Sequence, residues 1–139
     1  MTCRVRRLTS FDDTGEAAAL LARFFAEEGF DTAAKLIRRR IAEMTALDTC
    51  GLFVAEAESS AVGVATISLE FGIEFGWSGE MGDLYVVPEW RGRGVSRSLV
   101  AAIETFLAER GASGYQVTVT PVGQANHDLR SFYAKLGFT

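Results

Sequence analysis

The chain is 139 residues long and 48% apolar, and carries 14 Lys and Arg against 18 Asp and Glu, a net charge of −4. That length suits one domain, residues 1–139, with a core of its own, and no apolar run approaches the roughly 20 residues of a membrane-spanning helix. The acidic balance speaks against a nucleic-acid surface and, weakly, for a cationic partner.

Residues 2–8 alternate as a strand does, with Cys3, Val5 and Arg7 on one side and Arg4 and Arg6 on the other. The start MTCRVRRLTS is basic but no apolar segment follows it, so no secretory signal is expected. Cys3 and Cys50 lie far from the single histidine, His127, and read as reduced thiols of a cytoplasmic protein, not as metal ligands. Asp13 and Glu16 have the spacing of a capping box, and Ala17, Leu20, Leu21, Phe24 and Phe25 form the stripe of a first helix that Gly29 ends. Asp31 is expected to cap a second helix, in which Ala33, Leu36, Ile37, Ile41 and Met44 face inward and Arg38, Arg39 and Arg40 point to solvent. Strand runs at 51–58 and 61–71, joined at Ser59 and Ser60, predict a hairpin. The three glycines within 70–80 predict a mobile link or a bulged hairpin tip in place of continuous strand.

Residues 79–111 organise the rest. A strand stops at Pro88, a loop follows with Gly92 and Gly94 among Arg91 and Arg93, and a helix then runs to Gly111 with Val95, Leu99, Ile103, Phe106 and Leu107 on its apolar face. A glycine loop opening a helix leaves N–H groups bare and aims them, with the positive end of the helix dipole, at one point in space. That point suits a phosphate, and Arg91, Arg93 and Arg97 add charge beside it. The spacing matches neither a Walker P-loop nor a dinucleotide fingerprint. Residues 114–120 alternate as a strand ended by Pro121. Asn126 then caps a last helix with Leu129, Phe132, Tyr133 and Leu136 on one face and Gly137 as its stop.

Two of these stretches resemble a known family. Arg91-x-x-Gly94-x-Ser96 after its strand resembles the acetyl-CoA signature R/Q-x-x-G-x-G/A of the GCN5-related N-acetyltransferase (GNAT) superfamily, with Ser96 as the departure. Residues 126–138, NHDLRSFYAKLGF, resemble the family's second motif, N-x-x-[AL]-x-x-[FL]-Y-x-K-x-G-F, in the expected order and separation. The resemblance runs from the first strand to Phe138 and implies an α/β (α+β) GNAT fold, a mixed twisted sheet flanked by about four helices. The chain stops at Thr139, short of the two strands that members usually carry after Gly-Phe. An uncovered strand edge is adhesive, so the expectation is either a homodimer through residues 115–120 or a piece of a longer chain.

The resemblance also implies roles. Acetyl-CoA, the acetyl donor, would be held at its diphosphate by the backbone amides of Arg91, Gly92, Arg93, Gly94, Val95 and Ser96, with Arg91, Arg93 and Arg97 adding charge, and along its pantetheine arm by Leu84, Tyr85 and Val86. Asn126 would hydrogen-bond the cofactor, and Tyr133 would protonate the departing thiolate. Many relatives place a glutamate where this chain has Gly82, so the base must be found elsewhere. Period-two alternation favours Glu80, on the face of Gly82, with Asp83 second because it points to the opposite face unless the strand bulges. Phe30, Phe71, Phe75 and Trp77, with Glu27, Glu28, Glu70, Glu74 and Glu80, would border the acceptor side and suit a small cationic amine. The expected activity is N-acetyl transfer to a primary amine by direct attack in a ternary complex, with no metal, membrane or nucleic acid involved. The alternative is a non-catalytic CoA-binding regulatory module, which Gly82 would permit.

Overall fold

Apolar and small residues fill 51–55 and 61–67 on either side of the polar stretch 56–60, a pattern that suits two strands buried on both faces. The computed structural model describes residues 3–118, 124 and 128–139. These form one five-stranded sheet in the order β1 (Arg4–Arg7), β2 (Cys50–Ala57), β3 (Ser60–Gly72), β4 (Gly76–Val86) and β5 (Tyr115–Val117). The first four strands are antiparallel to their neighbours, whereas β5 runs parallel to β4. Among the described residues four helices flank the sheet: α1 (Gly15–Glu27), α2 (Ala34–Thr45), α3 (Val95–Glu109) and α4 (Leu129–Lys135). This is the mixed α/β (α+β) architecture expected from the sequence.

The two faces of the sheet take different helices. A Cβ placed on Gly63 would meet Val95 and Leu99, so that face packs α3. The alternate residue Tyr85, paired with Val64, stacks on Phe24 of α1 across the other face. The buried stripe of α3 is Val95, Leu99, Val100, Ile103, Phe106 and Leu107, which contains every residue that periodicity assigned to it.

Several local expectations are corrected. The capping box of α1 does not form: Asp13 Oδ1 accepts from the N–H of Gly15 at 2.8 Å, but Glu16 reaches away to the N–H of Ala61 on β3, at 3.1 Å. Asp31 does not cap α2, which opens at Ala33 without a side-chain cap. There Leu36 and Ala33 are exposed, and the inward stripe is Ile37 and Ile41 with Met44 half-buried against the core. The β2–β3 turn falls one residue earlier than expected, at Glu58 and Ser59, which both have positive φ as a two-residue type I′ hairpin requires. Residues 70–80 are strand on both sides of a short tip, with Glu70 opposite Ser78 and Gly72 opposite Gly76. Cross-strand pairing overrides the turn preference of the glycines. Of the strand expected at 114–120, Tyr115–Val117 is formed, and 119–120 lie outside the described residues.

Candidate active site

The site is organised by the place where β4 and β5 part. Their pairing covers Gly79, Glu80 and Met81 opposite Tyr115, Gln116 and Val117, and goes no further among the described residues. Beyond it the free edge of β4 can be read from its ladder. The N–H of Val87 donates to Val62 O at 2.9 Å, so backbone groups at 87 and 85 turn toward β3, and those at 86 and 84 turn outward. Leu84 and Val86 therefore present main-chain groups to the open side. Tyr85, expected to do the same, instead contributes its ring on the α1 face.

That open side is a cavity of about 560 Å³ lined by the end of α1 (Phe24, Glu27, Glu28), by residues 84–86, by the loop and first turn of α3, and by α4. Gly94 stands immediately before α3 at φ 84°, a left-handed conformation that a Cβ disfavours. No side chain caps this end, so the N–H groups of the first turn are left for an outside acceptor. A Cβ on Gly92 or Gly94 would meet no protein atom within 4 Å. The space in front of the loop is open.

The three arginines divide. Arg91 Nε donates to Val86 O at 2.9 Å, its Nη2 lies 3.7 Å from Glu27 Oε1, and its guanidinium sits 5.6 Å from the Tyr85 ring centroid. Arg97 lines the cavity and donates from Nη2 to Lys135 O at 2.8 Å, tying α3 to α4. Arg93 lies over the Trp90 ring at 4.6 Å and does not line the cavity. Glu27 is the hub of the α1 end: it accepts from the Tyr85 hydroxyl at 2.5 Å and lies 3.5 Å from Arg23 Nε. Burial and the Glu27 carboxylate push the Tyr85 phenol up to about 12.

Tyr133 stands on the α4 wall. Burial, then the charges of Asp83 and Glu28, push its phenol up to about 12, so it keeps its proton at every ordinary pH. Among the described residues the hydroxyl has no hydrogen-bond partner. Asp83 is brought to this neighbourhood by a bulge. The β3–β4 register shifts by one between Thr66 opposite Asp83 and Ile67 opposite Met81, leaving Gly82 as the extra residue. Asp83 therefore shares a face with Glu80, and strict alternation, which put the two on opposite faces, does not hold. Burial raises the Asp83 carboxyl above its ordinary value, and a 2.6 Å hydrogen bond from Thr66 Oγ1 partly offsets this. Glu80 has its oxygens engaged by Gln116 Nε2 at 3.0 Å and Thr118 Oγ1 at 3.4 Å.

The sequence matches the acetyltransferase (GNAT) family over residues 16–138. The chain belongs to this family. It is 34% identical over 142 residues to a mycothiol acetyltransferase of Thermobispora bispora, covering 96% of this chain and 46% of that protein. It is 37% identical over 89 residues to an uncharacterized N-acetyltransferase of Archaeoglobus fulgidus, covering 63% and 58% respectively. This GNAT chain thus spans about half the length of the curated relatives it matches. Among solved structures, the aminoglycoside N-acetyltransferase AAC(6')-Iy in complex with CoA is similar at a TM-score of 0.85 and 18% identity, covering 99% of this chain and 88% of that one. An aminoglycoside acetyltransferase from an uncultured soil metagenomic sample, in complex with sisomicin, gives 0.79 at 18% identity, covering 98% and 88%. At such identity the likeness is one of fold.

Not every expected site residue of this GNAT chain reaches the cavity. Asn126 lies outside the described residues. Phe71 and Trp77 pack edge to face at 5.2 Å near the far end of the β3–β4 hairpin, and neither they nor Phe30, Phe75, Glu70 and Glu74 line the cavity. Glu27 and Glu28 do. Phe24, Trp90, Phe132 and Lys135 also line it, and the sequence offered only helical stripes for the first and third. Thr66 carried no signal beyond being a polar residue within an apolar strand.

Proposed function

We propose that this GNAT chain is an N-acetyltransferase that moves the acetyl group of acetyl-CoA to a primary amine of a small cationic acceptor, by direct attack in a ternary complex. The observation that carries this reading is one continuous cavity with the bare first turn of α3 at one part of its wall and the Tyr133 phenol at another. The residues present fit acetyl-CoA. The amides of 92–97 would take the diphosphate, with Arg97 and Arg91 adding charge, and the outward backbone of Leu84 and Val86 would pair with the amide-bearing arm. Arg91 spends its Nε on Val86 O, so only its terminal nitrogens are available.

In the transfer, the amine nitrogen attacks the thioester carbonyl, a C–N bond forms and the C–S bond breaks. An alkylammonium gives up two protons in all, one before attack and one as the amide forms. Asp83 is the proton acceptor the geometry favours over Glu80, whose two oxygens already accept from β5 side and neighbouring residues. Burial raises the Asp83 carboxyl and so strengthens it as a base. Tyr133 gives its proton to the departing thiolate and regains one from solvent. Glu27 and Glu28 in the cavity wall, with a net charge of −4, support a cationic acceptor, as do the aminoglycoside acetyltransferases among proteins of similar fold. The free thiols Cys3 and Cys50 agree with a cytoplasmic setting.

The test is acetyl-CoA consumption, followed by free thiol, over a panel of primary amines. Turnover with a cationic amine is expected. Binding of acetyl-CoA without turnover of any amine would select the regulatory module instead.

A further inference from the structure

We infer that Thr66 is a positioning residue for the transfer proposed above: its hydroxyl holds one oxygen of Asp83 and leaves the other to take up the proton that the acceptor amine releases. The inference rests on that reading of the site. Thr66 is 4% exposed and, among the described residues, is the buried polar residue, in a strand stretch otherwise made of Val, Gly, Ala and Ile. Valine has the same shape, so a hydroxyl at this place needs a partner to offset its burial. The partner is Asp83 Oδ2, at 2.6 Å, a length that belongs to a bond accepted by a charged oxygen.

Three neighbouring features assemble this contact. The register slip at Gly82 turns Asp83 onto the face of Thr66. A Cβ on Gly82 would lie 3.1 Å from Thr66 Oγ1, so the glycine gives the hydroxyl its room. Because a threonine has one proton to donate, Oδ1 of Asp83 is left unclaimed by Thr66. The face neighbours of Asp83 along β4 are Glu80 and Tyr85, and Tyr133 of α4 feels the Asp83 charge together with that of Glu28 from α1. Arg23 and Arg91 are paired with Glu27. Thr66 is therefore the group that favours ionised Asp83 against its burial.

The experiment compares Thr66→Val, Thr66→Ser and Asp83→Asn with the wild type by two readouts. One is the pH dependence of kcat, and the other is the carboxyl ¹³C titration of Asp83, which needs no turnover. Thr66→Val is expected to move the titration and the rising limb of the rate profile together to higher pH. It should lower kcat at neutral pH by about tenfold, a part of the 10²–10⁴ a general base contributes, and leave the acetyl-CoA KM unchanged. Thr66→Ser should restore both, and on the Asp83→Asn background Thr66→Val should change kcat no further. If Thr66→Val does not fold, Gly82→Ala, whose methyl crowds the hydroxyl, should move the titration the same way. An unmoved titration or an unmoved rate limb overturns the inference, as does failure of Thr66→Ser to rescue. A wild type that acetylates no amine, while its Asp83 titration still follows Thr66, overturns the transferase reading and leaves the contact intact.

Discussion

Tyr133 and Asp83 are moved in the same direction by burial, with opposite consequences for chemistry. A phenol held at about 12 is a weaker acid than free tyrosine but is never without its proton in the working range. Tyr133→Phe should lower kcat by about 10²-fold or more with little change in the acetyl-CoA KM, measured by steady-state kinetics. Ionisation of Tyr133 should produce no falling limb in the pH–rate profile below about pH 11, one unit short of that phenol value. The buried Asp83 carboxyl binds its proton more tightly in the folded chain than in the unfolded one. Its favourable contribution is thus complete at acid pH, below the unfolded value, and is lost as pH rises through the folded value. Asp83→Asn should therefore be more stable than wild type at neutral pH and lose that advantage in acid, while being slower in transfer. Urea unfolding at the two pH values checks the sign. Neither shift was legible in the sequence, because burial and the bulge at Gly82 belong to the β3–β4 pairing and not to the residues alone.

The helix α3 and the loop before it were legible, since its stripe repeats at helical spacing and Gly92 and Gly94 stand where positive φ is required. Gly94→Val should cost about 1–2 kcal/mol for its left-handed conformation and project into the open space before the helix. The variant should stay folded by circular dichroism yet show no thermal shift with CoA. Helix starts were less legible. Asp13 and Glu16 have a capping-box spacing, but Glu16 finds a better acceptor role at Ala61, a residue brought near by the sheet. The hairpin of β3 and β4 shows the same competition. Three glycines favour turn locally, and the register of Glu70 with Ser78 and Phe71 with Trp77 holds them as strand.

Across the whole molecule, the core lies on both faces of one sheet, and its most enclosed residues include Leu52, Ile67, Met81, Leu99 and Ile103. Leu99→Ala should lower unfolding free energy by about 2–5 kcal/mol, since α3 packs there against the centre of the sheet. The cavity joins α1, β4, α3 and α4, so a ligand filling it should stabilise the fold as a unit. CoA and acetyl-CoA should both raise the melting temperature, with about 2.7 kcal/mol at 100 times the dissociation constant; no shift at millimolar CoA would count against the site. Periodicity and two spaced motifs in the chain already determined the order of helices and strands, the family and the position of the glycine loop before α3. These are local properties, carried by residues within one or two turns of each other. The tertiary structure alone decided that Asp83 shares the face of Glu80, which backbone groups of β4 face outward, and that Phe71 and Trp77 lie away from the cavity. Those depend on strand register, and a slip of one residue at Gly82 exchanges the faces of everything beyond it.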